Sequence, residues 1–262
     1  MGMTMRDPQT FYGDFHPEMK LADIHLHTAH SDGWWTPERL VDAAIEQGLS
    51  AIAITDHDEI RGGKIAREYV ARHGLALQVL IGQEVSARAN GHDVHVLGLD
   101  IEVEIRPWQS IEATVSAIYA QGGFVIMPHP KASGRGWPSF EQVLGLGRPV
   151  AIEIYNAGVA DLAGIARLRG KSDANREARA FFEAHRTELA GAVGGTDGHF
   201  RTVGRGLTAY SGDLRTAIEE GTTNVLFRPY LERLMPWDTA GYIGGLKRLD
   251  RRRSEKYGPR PR

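Results

Sequence analysis

Three observations make this chain an α/β protein of the closed or distorted barrel type, built as one domain. Apolar runs rich in Ile and Val recur at 21–24, 51–55, 78–82, 124–127 and 192–195, and their length and sharp ends are those of buried strands. Stretches of helical periodicity separate them, and repeated β-α units imply parallel strands joined by right-handed crossovers. Each run also leads into an imidazole or a carboxylate, which suits strands whose C-terminal ends open on one mouth. With 262 residues and 42% hydrophobic content the chain can bury one sizeable core, and barrels of about this length form a single domain.

The elements follow in order. Thr36 and Pro37 have the character of an N-cap and first helical residue; Leu40, Val41, Ala44 and Ile45 continue at helical spacing until Gly48 stops the helix. A strand at 49–55, a helix at 63–73 ended by Gly74, a strand at 78–84 and a short strand at 94–99 come next. Ile111, Val115 and Ile118 mark a helix closed by Gly122 and Gly123, ahead of the strand before His129, and another strand spans 150–155. A polar helix is expected at 173–189 before the strand leading to Asp197, and strands at 207–210 and 223–227 flank a helix at 213–220. Residues 1–20 are expected as an N-terminal extension, 21–240 as the barrel and 241–262 as a basic, disordered tail.

Composition narrows the chemistry. The net charge is −2 but uneven, because 247–262 holds eight basic and two acidic residues and leaves −8 for the rest. Arg251, Arg252 and Arg253, followed by Gly258, Pro259 and Pro261, read as a solvated tail, with a nucleic-acid anchor as the less favoured alternative. Without Cys there is no disulfide framework and no thiolate ligand, so any metal is held by nitrogen and oxygen. Residues 1–14 are polar and no stretch approaches the roughly 20 apolar residues of a membrane span, so a soluble, cytoplasmic protein without membrane attachment is expected.

Nine side chains stand out as metal ligands: His25, His27, Asp32, His57, Glu84, His95, His129, Asp197 and His199. In Asp23-Ile24-His25-Leu26-His27 the two imidazoles are two apart on a strand and share a face, a natural chelate. Asp32, before Gly33, is either a ligand or a turn former, and the neighbouring histidine pair favours ligation. Thr55-Asp56-His57-Asp58 ends a strand in consecutive ionisable groups; His57 is the ligand, and Asp56 is expected to orient a histidine ring from behind. Glu84 supplies a carboxylate from another strand end, the ligand type best able to bridge two cations. His95 is favoured over His92, which follows the Asn90-Gly91 turn; His129 sits in a rigid Pro-His-Pro frame; Asp197 and His199 are again two apart after Gly194 and Gly195. His16, His30, His73 and His185 lack such company and are assigned to surface or packing roles.

Taken in order, Asp-x-His-x-His with Ser-Asp-Gly, Thr-Asp-His, Gly-x-Glu, Gly-His-x-x-His, Pro-His-Pro and Thr-Asp-Gly-His resemble the signature of the PHP family, the polymerase and histidinol phosphatase superfamily, over residues 21–210. The resemblance implies a distorted (β/α)7 barrel, similar to a TIM barrel, with two or three divalent ions, usually Mn, Fe or Zn. Carried across, it implies one ion held by His25, His27, Glu84 and Asp197, a second by Glu84, His95 and His129, and a third by Asp32, His57 and His199. Asp32 stands where some members have histidine, a harder ligand for that third ion.

The expected activity is hydrolysis of a small phosphorylated metabolite or nucleotide, with two ions about 3.5–4 Å apart lowering the pKa of a shared water and with Glu84 and Asp197 at the reacting centre. Cations for the phosphoryl oxygens are sought among Lys131, Arg135, Arg201 and Arg205, with Asn156 as a further substrate contact. His92 is a candidate general acid beside Tyr155 or a bound water. A carboxyl ester or carbamate substrate is the alternative, for which Trp34, Trp35, Trp137 and Phe200 would form an apolar wall. An amidohydrolase is disfavoured because no Lys ends a strand and Glu84 takes the bridging place; a non-catalytic metal-binding module is the alternative outside enzymes.

Overall fold

The computed structural model describes residues 7–129, 142–160, 173–199, 202–229 and 236–258. Its strands are β1 (Gln9–Tyr12), β2 (Lys20–Leu26), β3 (Ala51–Ile54), β4 (Gln78–Ala89), β5 (His92–Leu99), β6 (Phe124–Met127), β7 (Val150–Asn156), β8 (Ala192–Gly195), β9 (Gly206–Tyr210) and β10 (Asn224–Phe227). They form one curled ten-stranded sheet in the order β1-β10-β9-β2-β3-β4-β5-β6-β7-β8. The far strand returns toward the middle of the sheet: Thr208 Oγ1 on β9 donates to the Gly194 carbonyl at 3.0 Å, and the Asp197 N–H donates to the His25 carbonyl at 2.8 Å.

The helices are α1 (Pro37–Glu46), α2 (Arg61–His73), α3 (Ile111–Tyr119), α4 (Ala174–Ala184), α5 (Leu214–Glu219) and α6 (Pro236–Tyr257). Thr36 caps α1 as the sequence predicts, and Ser110, Asp173 and Asp213 cap three more helices, each accepting a hydrogen bond from the backbone N–H three residues on. Gly74 ends α2 in a left-handed conformation, φ 61°. Ile24, Ile52, Ile54, Leu97 and Leu99 are fully buried on the sheet. Among the described residues no helix is long and apolar enough to cross a membrane.

Three expectations are corrected. The sheet is mixed: β2-β3-β4 and β6-β7-β8 pair in parallel, but β5 is antiparallel to both β4 and β6. The cause is local, because Asn90 (φ 50°) and Gly91 (φ 76°) both adopt the left-handed region of a two-residue hairpin turn, so β4 returns directly instead of crossing over. The N-terminal extension contributes β1, which adds antiparallel to β10.

Over its described residues the basic tail, expected to be disordered, belongs to α6, which runs to Tyr257. Gly245, Leu249, Arg252, Arg253, Lys256 and Tyr257 fall at i, i+4, i+7, i+8, i+11 and i+12, one helical stripe. Leu249 is buried, and two cations on this stripe, Arg253 and Lys256, are paired with carboxylates of the barrel rim. The segment's average charge conceals the periodicity beneath it.

Candidate metal centre

Each candidate ligand is delivered by a strand end or the loop after it. The alternation of β2 puts Asp23, His25 and His27 on one face, and Asp23 ties that strand to the β8–β9 loop. It accepts hydrogen bonds from Thr196 N (3.0 Å), Thr196 Oγ1 (2.5 Å) and Gly204 N (2.7 Å); burial nevertheless pushes its carboxyl up to about 6. Asp32 sits in the loop after β2, which Asp56 organises by accepting from Thr28 N (2.7 Å), Thr28 Oγ1 (2.6 Å) and Ser31 Oγ (2.6 Å). Asp56 therefore orders the Asp32 loop rather than a histidine ring, a correction to the sequence reading. The φ angles of His129 (26°) and Asp197 (54°) are positive, a strained backbone where both side chains turn inward.

Glu84 lies at the hub, essentially inaccessible to solvent, and its two oxygens divide the histidines. Oε1 is 2.6 Å from His95 Nδ1 and 2.9 Å from His129 Nε2. Oε2 is 3.2 Å from His25 Nε2, 3.2 Å from His27 Nε2 and 3.3 Å from His57 Nδ1. Asp197 Oδ1 completes one side at 3.2 Å from His27 Nε2 and 3.5 Å from His25 Nε2. Asp32 Oδ2 meets His199 Nε2 at 3.2 Å and His57 Nε2 at 3.8 Å. Three groupings have ligand atoms within 4.8 Å of one another: His25, His27, Glu84 and Asp197; His27, Asp32, His57 and His199; and His57, Glu84 and His95. All nine residues singled out in the sequence thus converge, with His129 reaching the hub through Glu84.

The electrostatics show what this cluster needs. Burial opposes ionisation of Glu84, yet His57, His95 and His25 hold its carboxyl well below the usual range; Asp197 is likewise held low, chiefly by His25 and His199, and Asp32 by His199 and His57. Burial also opposes charge on the rings, but Asp197, Glu153 and Glu84 raise His25 well above its ordinary value, and Asp197 and Glu84 raise His27 to about 10. His57 goes the other way, driven well down by burial, with His27 and His95 adding to it.

Divalent cations fit the same place. His27 Nδ1 and Nε2, Asp32 Oδ2, His57 Nδ1 and Asp197 Oδ1 are buried and make no hydrogen bond among the described residues, although oxygens and nitrogens lie close by. Unsatisfied buried polar atoms are costly, and a set of imidazoles and carboxylates aimed at common points is the donor chemistry of Mn, Fe and Zn.

Other sequence candidates fall differently. His92 is exposed, paired with Ala89 beside the hairpin turn and on the strand face opposite to His95, so it does not reach the cluster. Asn156 is buried and faces inward: Nδ2 donates to Glu153 Oε2 (2.9 Å) and Asp197 Oδ2 (3.2 Å), and Oδ1 accepts from Val159 N (2.8 Å). It braces Asp197, a candidate ligand. Arg205 is buried, its backbone N–H on Thr196 Oγ1 at 2.9 Å. Lys131, Arg135, Trp137, Phe200 and Arg201 lie outside the described residues.

One residue central to the site was missed. Glu153, on β7, lies 3.1 Å from His25 Nδ1 and accepts from His129 N at 2.8 Å and from Asn156 Nδ2, so it holds two candidate ligands from behind. Its only sequence signal is a carboxylate inside the apolar run Val150-Ala151-Ile152-Glu153-Ile154, an uncompensated charge unless something pairs with it.

The chain was compared with known proteins. The family model described as PHP domain matches residues 23–222. The 5'-3' exoribonuclease Rnm of Escherichia coli is 44% identical over 83 residues, 32% of this chain and 28% of that protein. The 3',5'-nucleoside bisphosphate phosphatase of Chromobacterium violaceum is 39% identical over 84 residues, 32% of this chain and 29% of that protein. The matched stretch thus spans less than a third of either relative. Among solved structures, a two-domain protein from Bacteroides vulgatus described as containing a predicted PHP-like metal-dependent phosphoesterase superposes with a TM-score of 0.63 at 19% identity, covering 93% of this chain and 75% of that one. That likeness concerns the fold.

Proposed function

This chain belongs to the PHP domain family, and on that premise we propose that it is a metal-dependent phosphoester hydrolase acting on a small phosphorylated metabolite or nucleotide. The observation that carries the reading is the division of histidines between the two oxygens of Glu84, the arrangement of a carboxylate that bridges neighbouring cations. His25, His27, Glu84 and Asp197 would hold one ion; Glu84, His95 and His129 a second; Asp32, His57 and His199 a third, drawn from Mn, Fe or Zn. When bound, such ions supply Lewis-acid activation of water and neutralise charge on phosphoryl oxygens.

The chain's own groups point to water as the nucleophile. There is no Cys, and the hydroxyls of Thr28, Ser31, Thr55 and Thr196 are committed to Asp56, Leu26 or Asp23. His95, at 33% side-chain exposure, and His129, at 17%, face the opening, whereas His25 and His27 are sealed beneath; substrate therefore approaches over Glu84 Oε1. The names of the two relatives, a ribonuclease and a bisphosphate phosphatase, support phosphorus as the electrophile.

The test is turnover by metal-stripped protein reloaded with Mn²⁺ on aryl phosphomonoester, aryl phosphodiester and aryl carboxyl ester, with Asp197→Asn as control. Release of phenol from a phosphate substrate, abolished in the variant, is expected. Cleavage of the carboxyl ester alone would replace the reading with the esterase alternative, and inertness on all three would refute hydrolysis of these ester classes.

A further inference from the structure

Helix α6 does not simply cover the barrel. Its seam lies on the two loops that carry Asp32 and His57. At Gly245 the helix backbone closes on the first loop so tightly that a Cβ would stand 2.5 Å from the Asp32 carbonyl oxygen. One helical stripe further on, Arg252 Nη1 donates to the Ala29 carbonyl at 3.1 Å and also to that of His30. Arg253 Nη2 lies 2.5 Å from Asp58 Oδ2 and donates to Ser86 Oγ at 2.8 Å. Tyr257 OH donates to the Asp58 carbonyl at 3.2 Å.

Asp58 is the residue after His57, and its backbone lies in the left-handed region, φ 52°. Its N–H donates to the Glu84 carbonyl at 3.1 Å, and its Oδ1 accepts from Ser86 N at 2.7 Å. The carboxylate is almost wholly buried, so the Arg253 guanidinium is what neutralises it. Further out, Lys256 anchors the helix on Glu59 (3.2 Å) and Glu104 (2.5 Å).

Of the residues grouped as His27, Asp32, His57 and His199, two come from these loops, and α6 grips the chain beside both. His27 directly follows β2 and His199 lies in the loop after β8; these two segments are joined by His27 N donating to the Gly198 carbonyl at 3.1 Å. The helix thus contacts the chain beside Asp32 and His57 from outside, while Asp56 braces the Asp32 loop from within.

Resting on the metal reading above, we propose that α6 is a positioning element for the cation site formed by His27, Asp32, His57 and His199, acting through Gly245, Arg252 and Arg253. Filling of that site and docking of the helix then stabilise each other, because coupling between two equilibria is reciprocal. Arg252 and Arg253 touch no candidate ligand atom; they act through Ala29, His30 and Asp58.

The experiment uses the full chain and Mn²⁺ alone, with stoichiometry and affinity from calorimetry and amide hydrogen exchange followed along α6. Arg252→Gln and Arg253→Gln are each expected to weaken one Mn²⁺ equivalent by roughly 10–100-fold while the remaining equivalents load as in wild type. Arg251→Gln, on an exposed side chain of the same helix, should load normally. In the reverse direction Mn²⁺ should slow exchange along α6, and Asp32→Asn, which leaves the helix sequence intact, should remove that protection. Unaltered loading by the two arginine variants, or exchange in α6 indifferent to Mn²⁺, overturns the proposal. Wild-type protein that takes up no Mn²⁺ would defeat the metal reading itself, a separate result from wild type that loads alongside variants that load equally.

Discussion

Replacing Glu153 by Gln should cost the centre its metal without costing the protein its fold. The Oε2 atom of Glu153 accepts two donors, His129 N at 2.8 Å and Asn156 Nδ2 at 2.9 Å, while Oε1 faces His25 Nδ1 at 3.1 Å. A glutamine has one acceptor oxygen, and the two donors will claim it. Its NH₂ must then face His25 Nδ1, which can only accept if the ring proton moves to Nε2. Nε2 is the atom 3.2 Å from Glu84 Oε2 and 3.5 Å from Asp197 Oδ1, the position a cation would share. The variant thus fixes the wrong tautomer while preserving volume. Loss of such a supporting carboxylate weakens metal binding about 10–100-fold, or about 1.4–2.8 kcal/mol. Glu153→Ala is a poorer probe, since it strands all three partners in a buried site and destabilises the fold as well. The assay is chelator competition for Mn²⁺, with melting of the metal-free protein as the fold control. An affinity within twofold of wild type in a folded variant would refute the tautomer argument.

Three further outcomes are expected. Gly195→Ala introduces a methyl that collides with Glu153 Oε1 and stands 2.6 Å from His25 Cβ, so metal affinity should fall by at least tenfold in the same competition assay; wild-type affinity would show that the strand can yield. Chelation should lower the melting temperature, because each ion at a hundredfold excess over its Kd contributes about 2.7 kcal/mol, worth roughly 5–11 °C in a protein of this size; coincident melts with and without chelator contradict bound ions. In the metal-free protein His27 is raised to about 10, against about 6.5 unfolded, by Asp197 and Glu84 in spite of burial. A raised folded pKa gives stability that is complete below about 6.5 and is lost as pH climbs toward 10, so the metal-free melting temperature should fall across that window and Mn²⁺ binding should release protons there; a melting temperature that rises instead would show the rings to be uncharged.

The fold and the site were legible to different depths for physical reasons. Ligands at strand ends were visible because period-2 alternation forces His25 and His27 to one face, and apolar runs fix where the strands stop. The antiparallel β5 was readable in principle from Asn90-Gly91, whose turn chemistry outranks the β-α rhythm on either side. Glu153 was obscured because the same apolar run that identifies β7 hides a single carboxylate, whose meaning depends on partners 128 and 24 residues away in the chain. Asn156 was legible as polar and strand-terminal, but whether its amide turns inward to Asp197 or outward to substrate is decided by tertiary contacts.

Helix α6 shows the limit most clearly. Composition describes 247–262 as a charged segment with little to bury, which is true of its average and false of its stripe. Leu249 supplies the apolar contact, and Arg253 and Lys256 find Asp58, Glu59 and Glu104, whose positions are set by β3, β4 and the loop after β5. Charge excess at one end of the chain and charge deficit before it were both plain in the sequence. What the fold adds is that the two meet at the rim of the candidate metal centre, where Arg253 and Lys256 pair with Asp58, Glu59 and Glu104.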